Sequence, residues 1–421
     1  MSVAPHPRFS GWRVCGFSAL TQALAIGFTL GAVGLFFGPL ADEFGMTATH
    51  FGLGVSGFSL VMNLSMPVIG RFLDGGSIRG VMALGALVLA LNLLGIAFAT
   101  ALWQVGLLFS VGCAVGMAML GPMASSTAMA NWFDRLRGRA LGLANAGAPA
   151  GPLVIVPIAG LVVVELGWRS TVIGFAAAAL LVAAPVAWLG MIDRPGDVGQ
   201  HPDGDADHAA VTPGAPAEEG ADWDVASILG SRDFWLMALA AAPFGAQGIV
   251  LAANSIPYLA HHGASPEAAA VAPVPLSIGA VLGPLLFGAL ADKIHPRKLF
   301  IGLCALICLV FGGLMTGPGY AISLVLLAFC GLVGGSMMPV YGALIGRLFG
   351  VNAFGQVMGL GALVGLPVIT IAPVAFGAAF DRSGDFAVGL GGLIASLIAS
   401  IALFALVSSG EARRSAQRAP A

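Results

Sequence analysis

Gln247 and Asn254 stand seven residues apart in an apolar stretch, two turns along one helix face. A side-chain amide offers two donor hydrogens and one acceptor oxygen, and burying one in hydrocarbon without partners is costly. Such groups must meet another helix or a bound solute. Gln22, Asn63, Asn145 and Tyr341 occupy comparable apolar surroundings. These six residues form the candidate binding set for a small hydrogen-bonding molecule, the alternative for each being an interhelical bond worth about 0.6 kcal/mol. No Asp, Glu, Lys or Arg falls in the middle third of any apolar stretch. Since a buried ionisable group is the usual marker of an ion path, proton coupling lacks an obvious carrier. His261 and His262, at the end of the Gln247 stretch, are the candidates for that role, histidine being the side chain whose ordinary pKa lies nearest neutrality.

Other chemistries are poorly represented. Cys15, Cys113, Cys304, Cys308 and Cys330 all lie in apolar segments, where cysteine is usually a small packing residue. Met62 with Met66 and Met119 with Met123 are four apart, and Met337 adjoins Met338. Thioethers suit Cu(I), and they equally fill gaps between helices. There is no G-x-x-x-x-G-K-[ST] phosphate loop. No set of acids, bases or nucleophiles that an enzyme would require is visible, and no cofactor is expected. A net charge of -2 and a pI near 6.4 give no support for a nucleic-acid partner.

The elements that position these residues are membrane spans. The chain of 421 residues is 58% hydrophobic and 9% charged, against roughly 25% charged in a soluble domain. Lipid must therefore solvate most of it. A span needs about 20 mostly apolar residues, and reading between charged and turn-rich punctuation yields twelve. They cover 12–40, 48–70, 80–100, 103–130, 139–165, 169–191, 232–260, 267–290, 298–317, 320–347, 353–380 and 386–409. With twelve spans both termini share a side, and 16 of the 18 basic residues gather there, only Arg169 and Arg382 falling opposite. The positive-inside rule puts that side in the cytoplasm. The first span is expected to act as its own insertion signal rather than as a cleaved leader.

Gly70-Arg71-Phe72-Leu73-Asp74 returns as Gly288-Ala289-Leu290-Ala291-Asp292, and Gly138-Arg139-Ala140-Leu141-Gly142 as Gly355-Gln356-Val357-Met358-Gly359. The two pairs share nearly one offset, so the halves are parallel repeats, as in many secondary transporters. Each Asp closes an apolar stretch before a loop carrying Arg79 or Arg297. A carboxylate there can cap a neighbouring helix or pair with an arginine, latching the halves in one state. Asp74, Arg79, Arg139, Asp292 and Arg297 are therefore the candidate gating residues. Only the second copy keeps a basic residue after its Asp, Lys293 against Gly75, so the latches need not be equally strong.

These Gly-x-x-x-Asp loops closely resemble the cytoplasmic signature of the major facilitator superfamily. Gly34-Leu35-Phe36-Phe37-Gly38-Pro39-Leu40, Asn131-Trp132-Phe133-Asp134-Arg135-Leu136-Arg137-Gly138, Gly167-Trp168-Arg169 and Arg194-Pro195-Gly196-Asp197-Val198-Gly199 look like its monocarboxylate-porter branch, with the bacterial oxalate/formate relatives. The resemblance covers nearly the whole chain. It implies an all-α membrane protein of twelve transmembrane helices in two pseudo-symmetric six-helix bundles. Residues 1–191 and 232–410 would be the bundles, 192–231 an acidic flexible linker and 411–421 a tail. It further implies a monomeric secondary transporter of the bacterial cytoplasmic membrane, working by alternating access on a small organic substrate, monocarboxylates first. One departure matters: many carboxylate porters carry Arg or Lys inside span eight or eleven, and residues 268–290 and 353–380 have neither. A neutral or amphipathic metabolite, imported or exported, stays open, as does Cu(I) through methionine. A receptor or structural protein is the reading outside transport, and the duplicated hinge loops argue against it.

Overall fold

The computed structural model describes residues 9–204, 223–269 and 271–408, and the tail 411–421 lies outside them. Among the described residues, eleven helical stretches are long and apolar enough to cross a bilayer. They are α1 (Gly11–Phe44), α2 (Thr49–Gly75), α3 (Ile78–Ala97), α4 (Leu102–Trp132), the double-length Arg137–Gly190, α7 (Arg232–His261), α8 (Glu267–Ala291), α9 (Pro296–Met315), α10 (Tyr320–Leu348), α11 (Phe354–Ser383) and α12 (Phe386–Leu406). Arg137–Gly190 is two spans, α5 before Gly167 and α6 after it. Gly167 has φ 80 and ψ 166, a conformation that breaks the helix and that side chains with a Cβ rarely adopt. Twelve spans result.

Local chemistry sets the ends. Thr47 accepts from the His50 amide at the start of α2, Ser77 from Gly80 at α3, and Asp385 from Ala387 at α12. Proline occupies the first turn of α9, where its missing donor costs nothing. Gly45 and Gly384 stop their helices in the left-handed region.

Within the amino-terminal half α1 packs on α5 and α3 on α4; within the carboxy-terminal half α7 packs on α11, α8 on α10, and α9 on α12. Across the halves α5 meets α8 and α2 meets α11. These crossings are tight only toward the face where α1 begins and α12 ends, the terminal face. Leu141 and Ala144 of α5 are fully buried there, whereas Leu161 and Val164 near its other end are 71% and 82% exposed. In α11, Val357 and Met358 are buried, while Ile371 and Val374 are more than half exposed.

The linker begins with ordered structure. Pro195–Val198 and Pro202–Gly204 form short 3-10 turns, and residues 205–222 lie outside the described residues. Flexibility expected over 192–231 does not describe these first residues, because their polar groups are bonded to the amino-terminal half. Gln200 accepts from the Ser10 amide through its side chain, and Asp203 binds the loop before α5.

Candidate functional site

The first amides of a helix have no partner within it, and they carry the positive end of its dipole. Asp74, at the end of α2, receives the first turn of α11 from the other half. Its Oδ1 accepts from the Gly355 amide and its Oδ2 from the Gln356 amide, both at 2.8 Å. Asp292, at the end of α8, does the same for α5. It accepts from the amides of Gly138 at 2.6 Å and Arg139 at 3.1 Å. Each repeat thus caps the other repeat's helix.

The two caps differ in one side chain. Arg139 brings its guanidinium Nε to 3.6 Å from Asp292, while Gln356 occupies the matching place beside Asp74. The cation beside Asp292 is therefore supplied by the capped helix. Burial pushes the Asp292 carboxyl above its ordinary range, and the two amides with Arg139 pull it back. Arg79 and Arg297 join neither cap. The Arg79 amide donates to Asp193 and its guanidinium lies 5.2 Å from the Trp188 ring. Arg297 donates to the Ala405 carbonyl at the end of α12. Both arginines brace helices within their own half.

Glycine makes the approach possible. A Cβ added at Gly70 would lie 2.4 Å from the Gly355 carbonyl oxygen, and one at Gly138 would lie 2.3 Å from that of Gly288. The motif glycines are contact points between backbones. Met123 fills the space beside Gly70, and Met337 packs near Gly245, so these thioethers sit in helix contacts.

Sequence reasoning missed Asp203. Its carboxylate accepts from the amides of Asp134 at 3.1 Å, Arg135 at 2.7 Å and Leu136 at 3.2 Å, the turn leading into α5. Asp203 itself adopts φ +60, which Asp tolerates better than most residues. The Pro202-Asp203-Gly204 triplet was the available signal, being a turn sequence with a free carboxylate. Asp203→Ala should cost about 1 kcal/mol, as for loss of a helix cap. An earlier thermal melt, partly restored in Asp203→Asn, is the expected result. A melt unchanged in Asp203→Ala would show that the three bonds contribute nothing net.

The amide set divides by partner. Asn63 and Asn254 each donate to a carbonyl one turn back, Ser59 and Val250, both at 2.8 Å. Those bonds are local to one helix. Gln22 donates across to the Ala144 carbonyl at 2.9 Å, and Asn145 donates to Leu141 at 2.8 Å and faces Ser126 at 3.3 Å. Gln22 and Asn145 thereby stand together where α1 meets α5. Their oxygens, Gln22 Oε1 and Asn145 Oδ1, are buried without a partner. So are both polar atoms of Gln247 and the Ser255 hydroxyl. Gln247 is fully buried, with its nitrogen directed toward Gly334 of α10. Tyr341 sets its hydroxyl against Gly361 of α11. His261 and His262 close α7 at the opposite face, about 21 Å along the helix from Gln247. There they pack against Tyr258, Phe380 and Phe386, and the His262 ring nitrogen meets the Tyr258 carbonyl at 2.9 Å.

Residues 19–373 match the model of the Major Facilitator Superfamily. The chain belongs to the major facilitator superfamily. It is a multi-pass membrane protein of a transporter family, not an enzyme. An uncharacterized MFS-type transporter of Bacillus subtilis, YcxA, is 24% identical over 78% of each chain. An MFS-type transporter of Gibberella zeae is 29% identical over 126 residues, 28% of this chain and only 27% of its own. Two solved structures share the fold. The E. coli fucose:proton symporter FucP superposes with a TM-score of 0.69 at 15% identity, covering 95% of this chain and all of its own. A bacterial homologue of the iron transporter ferroportin, in an outward-facing state, gives 0.68 at 13% identity over 95% of this chain and 99% of its own.

Proposed function

We propose that this protein is a secondary transporter of a small, neutral, hydrogen-bond-donating organic solute, working by alternating access. The carrying observation is the unpartnered amide set: Gln22 Oε1, Asn145 Oδ1 and both atoms of Gln247. The first two amides have their orientation determined, because turning either would point an oxygen at a carbonyl oxygen. What they leave free is therefore acceptors. A hydroxyl- or amine-bearing solute satisfies acceptors, whereas a carboxylate brings only acceptors of its own. The spans also carry no Lys or Arg at mid-depth to neutralise an anion. This favours the neutral-metabolite reading over the monocarboxylate one that the branch resemblance suggests.

The distribution of basic residues supports assigning the terminal face to the cytoplasm. On that assignment both latches close the inner side, and the conformation is outward-facing. Closing the outer ends of α2, α5, α8 and α11 while the latches release would complete the cycle.

A thermal-shift screen of the purified protein against polyols, sugars, amines and organic acids tests the substrate class, since a ligand of the native state raises apparent stability. Neutral hydroxyl-bearing solutes should raise the melt, and organic acids should not. A shift confined to organic acids would restore the monocarboxylate reading. Gln247→Leu should weaken the winning solute at least tenfold while melting no earlier than the parent, because it removes two unpaired buried polar atoms. Unchanged affinity with an earlier melt would make Gln247 a structural residue.

A further inference from the structure

We propose that the amino-terminal bundle holds an alkyl chain in a pocket separate from the amide set. The pocket has a volume of about 460 Å³ and lies toward the face opposite the termini, among α1, α2, α3, α4 and α6. Phe28, Phe36, Val105, Phe109, Trp168 and Val172 supply much of its wall. Gln22, Asn145 and Gln247 do not touch it.

The polar side chains in that wall are few, and each already makes a bond within the protein. The Thr29 hydroxyl donates to the Ala25 carbonyl at 2.6 Å, and the Ser110 hydroxyl to that of Gly54 at 3.0 Å. The Trp168 indole donates to Glu43 at 2.9 Å, and the His50 Nδ1 faces Thr47 at 3.1 Å. A polar solute entering here would lose its water and gain little in return. An alkyl chain has no hydrogen bonds to give up on entering and makes dispersion contact along the whole wall.

Depth gives the orientation of that chain. On α4 the lining runs from Leu102 to Ser110, eight steps or about 12 Å of helix. Leu93 and Ile96 come from the last turn of α3, and Trp168 and Val172 from the first turn of α6. The pocket therefore occupies one leaflet, just beneath the interface. Its mouth lies where Leu53 of α2 and Trp103 of α4, both lining residues, are 65% and 68% exposed. The polar boundary is the group around Trp168, with Arg169 paired to Glu43 and its guanidinium 4.4 Å from the indole. Tryptophan and a paired charge at that level match the headgroup zone. The chain then lies inward and its polar head stays at this rim. A membrane phospholipid and a free single-chain amphiphile both offer that chemistry.

Photolabelling of the whole protein in nanodiscs tests the site and its source. One arm carries a phosphatidylcholine with a diazirine near the tail, the other a fatty acid with the same group, each mapped by mass spectrometry. Label should concentrate on residues 46–55 and 102–110 in the arm that supplies the natural source. Gly54 and Gly106 line the pocket, and a Cβ at either meets nothing within 4 Å. The pair Gly54→Leu and Gly106→Leu should fill the space and cut that label at least fivefold, leaving label at exposed Leu309 of α9 unchanged. Gly106→Val alone, a smaller filler, should cut it about twofold and serves if the double variant misfolds. Pocket label no denser than at Leu309, or label indifferent to filling, would overturn the proposal.

Discussion

Asp292→Asn is expected to slow turnover ten- to a hundredfold while changing solute affinity by no more than about threefold. Asp292 binds two backbone amides at the start of α5 and sits 3.6 Å from Arg139 Nε. Asparagine keeps one acceptor and turns the other position into a donor aimed at an amide hydrogen. Bonds to charged groups contribute about 1.5–3 kcal/mol each. Since about 1.4 kcal/mol is a factor of ten in an equilibrium, losing one moves the latched state against the open one by about one to two decades. The substitution is remote from the amide set, so intrinsic binding survives. Asp74→Asn should act in the same sense and several-fold more weakly, because Gln356 supplies no cation. Initial rates and equilibrium binding on the same preparations check both. A loss of affinity with undiminished turnover would remove the latch role.

Gly138→Val should prise open the terminal face. The added Cβ would stand 2.3 Å from the Gly288 carbonyl oxygen and 2.6 Å from Asp292 Oδ1. Backbone atoms of two packed helices cannot yield that distance locally, and overpacking already costs about 1–3 kcal/mol for a single methylene. Separation of α5 from α8 is the cheaper response, since the contact lies between the bundles. Gly70→Val should act alike on α2 and α11, its Cβ falling 2.4 Å from the Gly355 carbonyl oxygen. A cysteine placed at Leu141, which is fully buried, reports the change once the five native cysteines are replaced. Labelling by a membrane-impermeant maleimide should rise at least tenfold in either variant. Gly302→Val, where a Cβ meets nothing within 4 Å, should leave it unchanged. Equal labelling in all three would show that the glycine contacts do not hold the face shut.

The legible part of this fold was the part controlled by local free energy. Twenty apolar residues in a row must become a span, and Gly167 inside a double-length apolar run marks the turn between two of them. Repetition of Gly70 to Asp74 at Gly288 to Asp292 announced two bundles. It could not show that Asp74 binds Gly355 and Gln356, residues 281 and 282 positions away, while Asp292 reaches back to Gly138 and Arg139. Nor could it separate Asn254, satisfied by a carbonyl one turn back, from Gln247, satisfied by none. In sequence these are two amides on one helix face. Asp203 escaped notice for the same reason, since a carboxylate in a turn becomes a cap only where three free amides lie within reach.

By itself the sequence determined the solvent, the spans, the repeat and the two repeated carboxylates that end as helix caps, because apolar transfer and helix periodicity act residue by residue along the chain. Tertiary structure decided that the caps cross between halves, that Arg79 and Arg297 stand apart from them, and which amides are left without partners. Those outcomes depend on distances between residues far apart in the chain, and hydrogen bonding falls away within an ångström of its optimum.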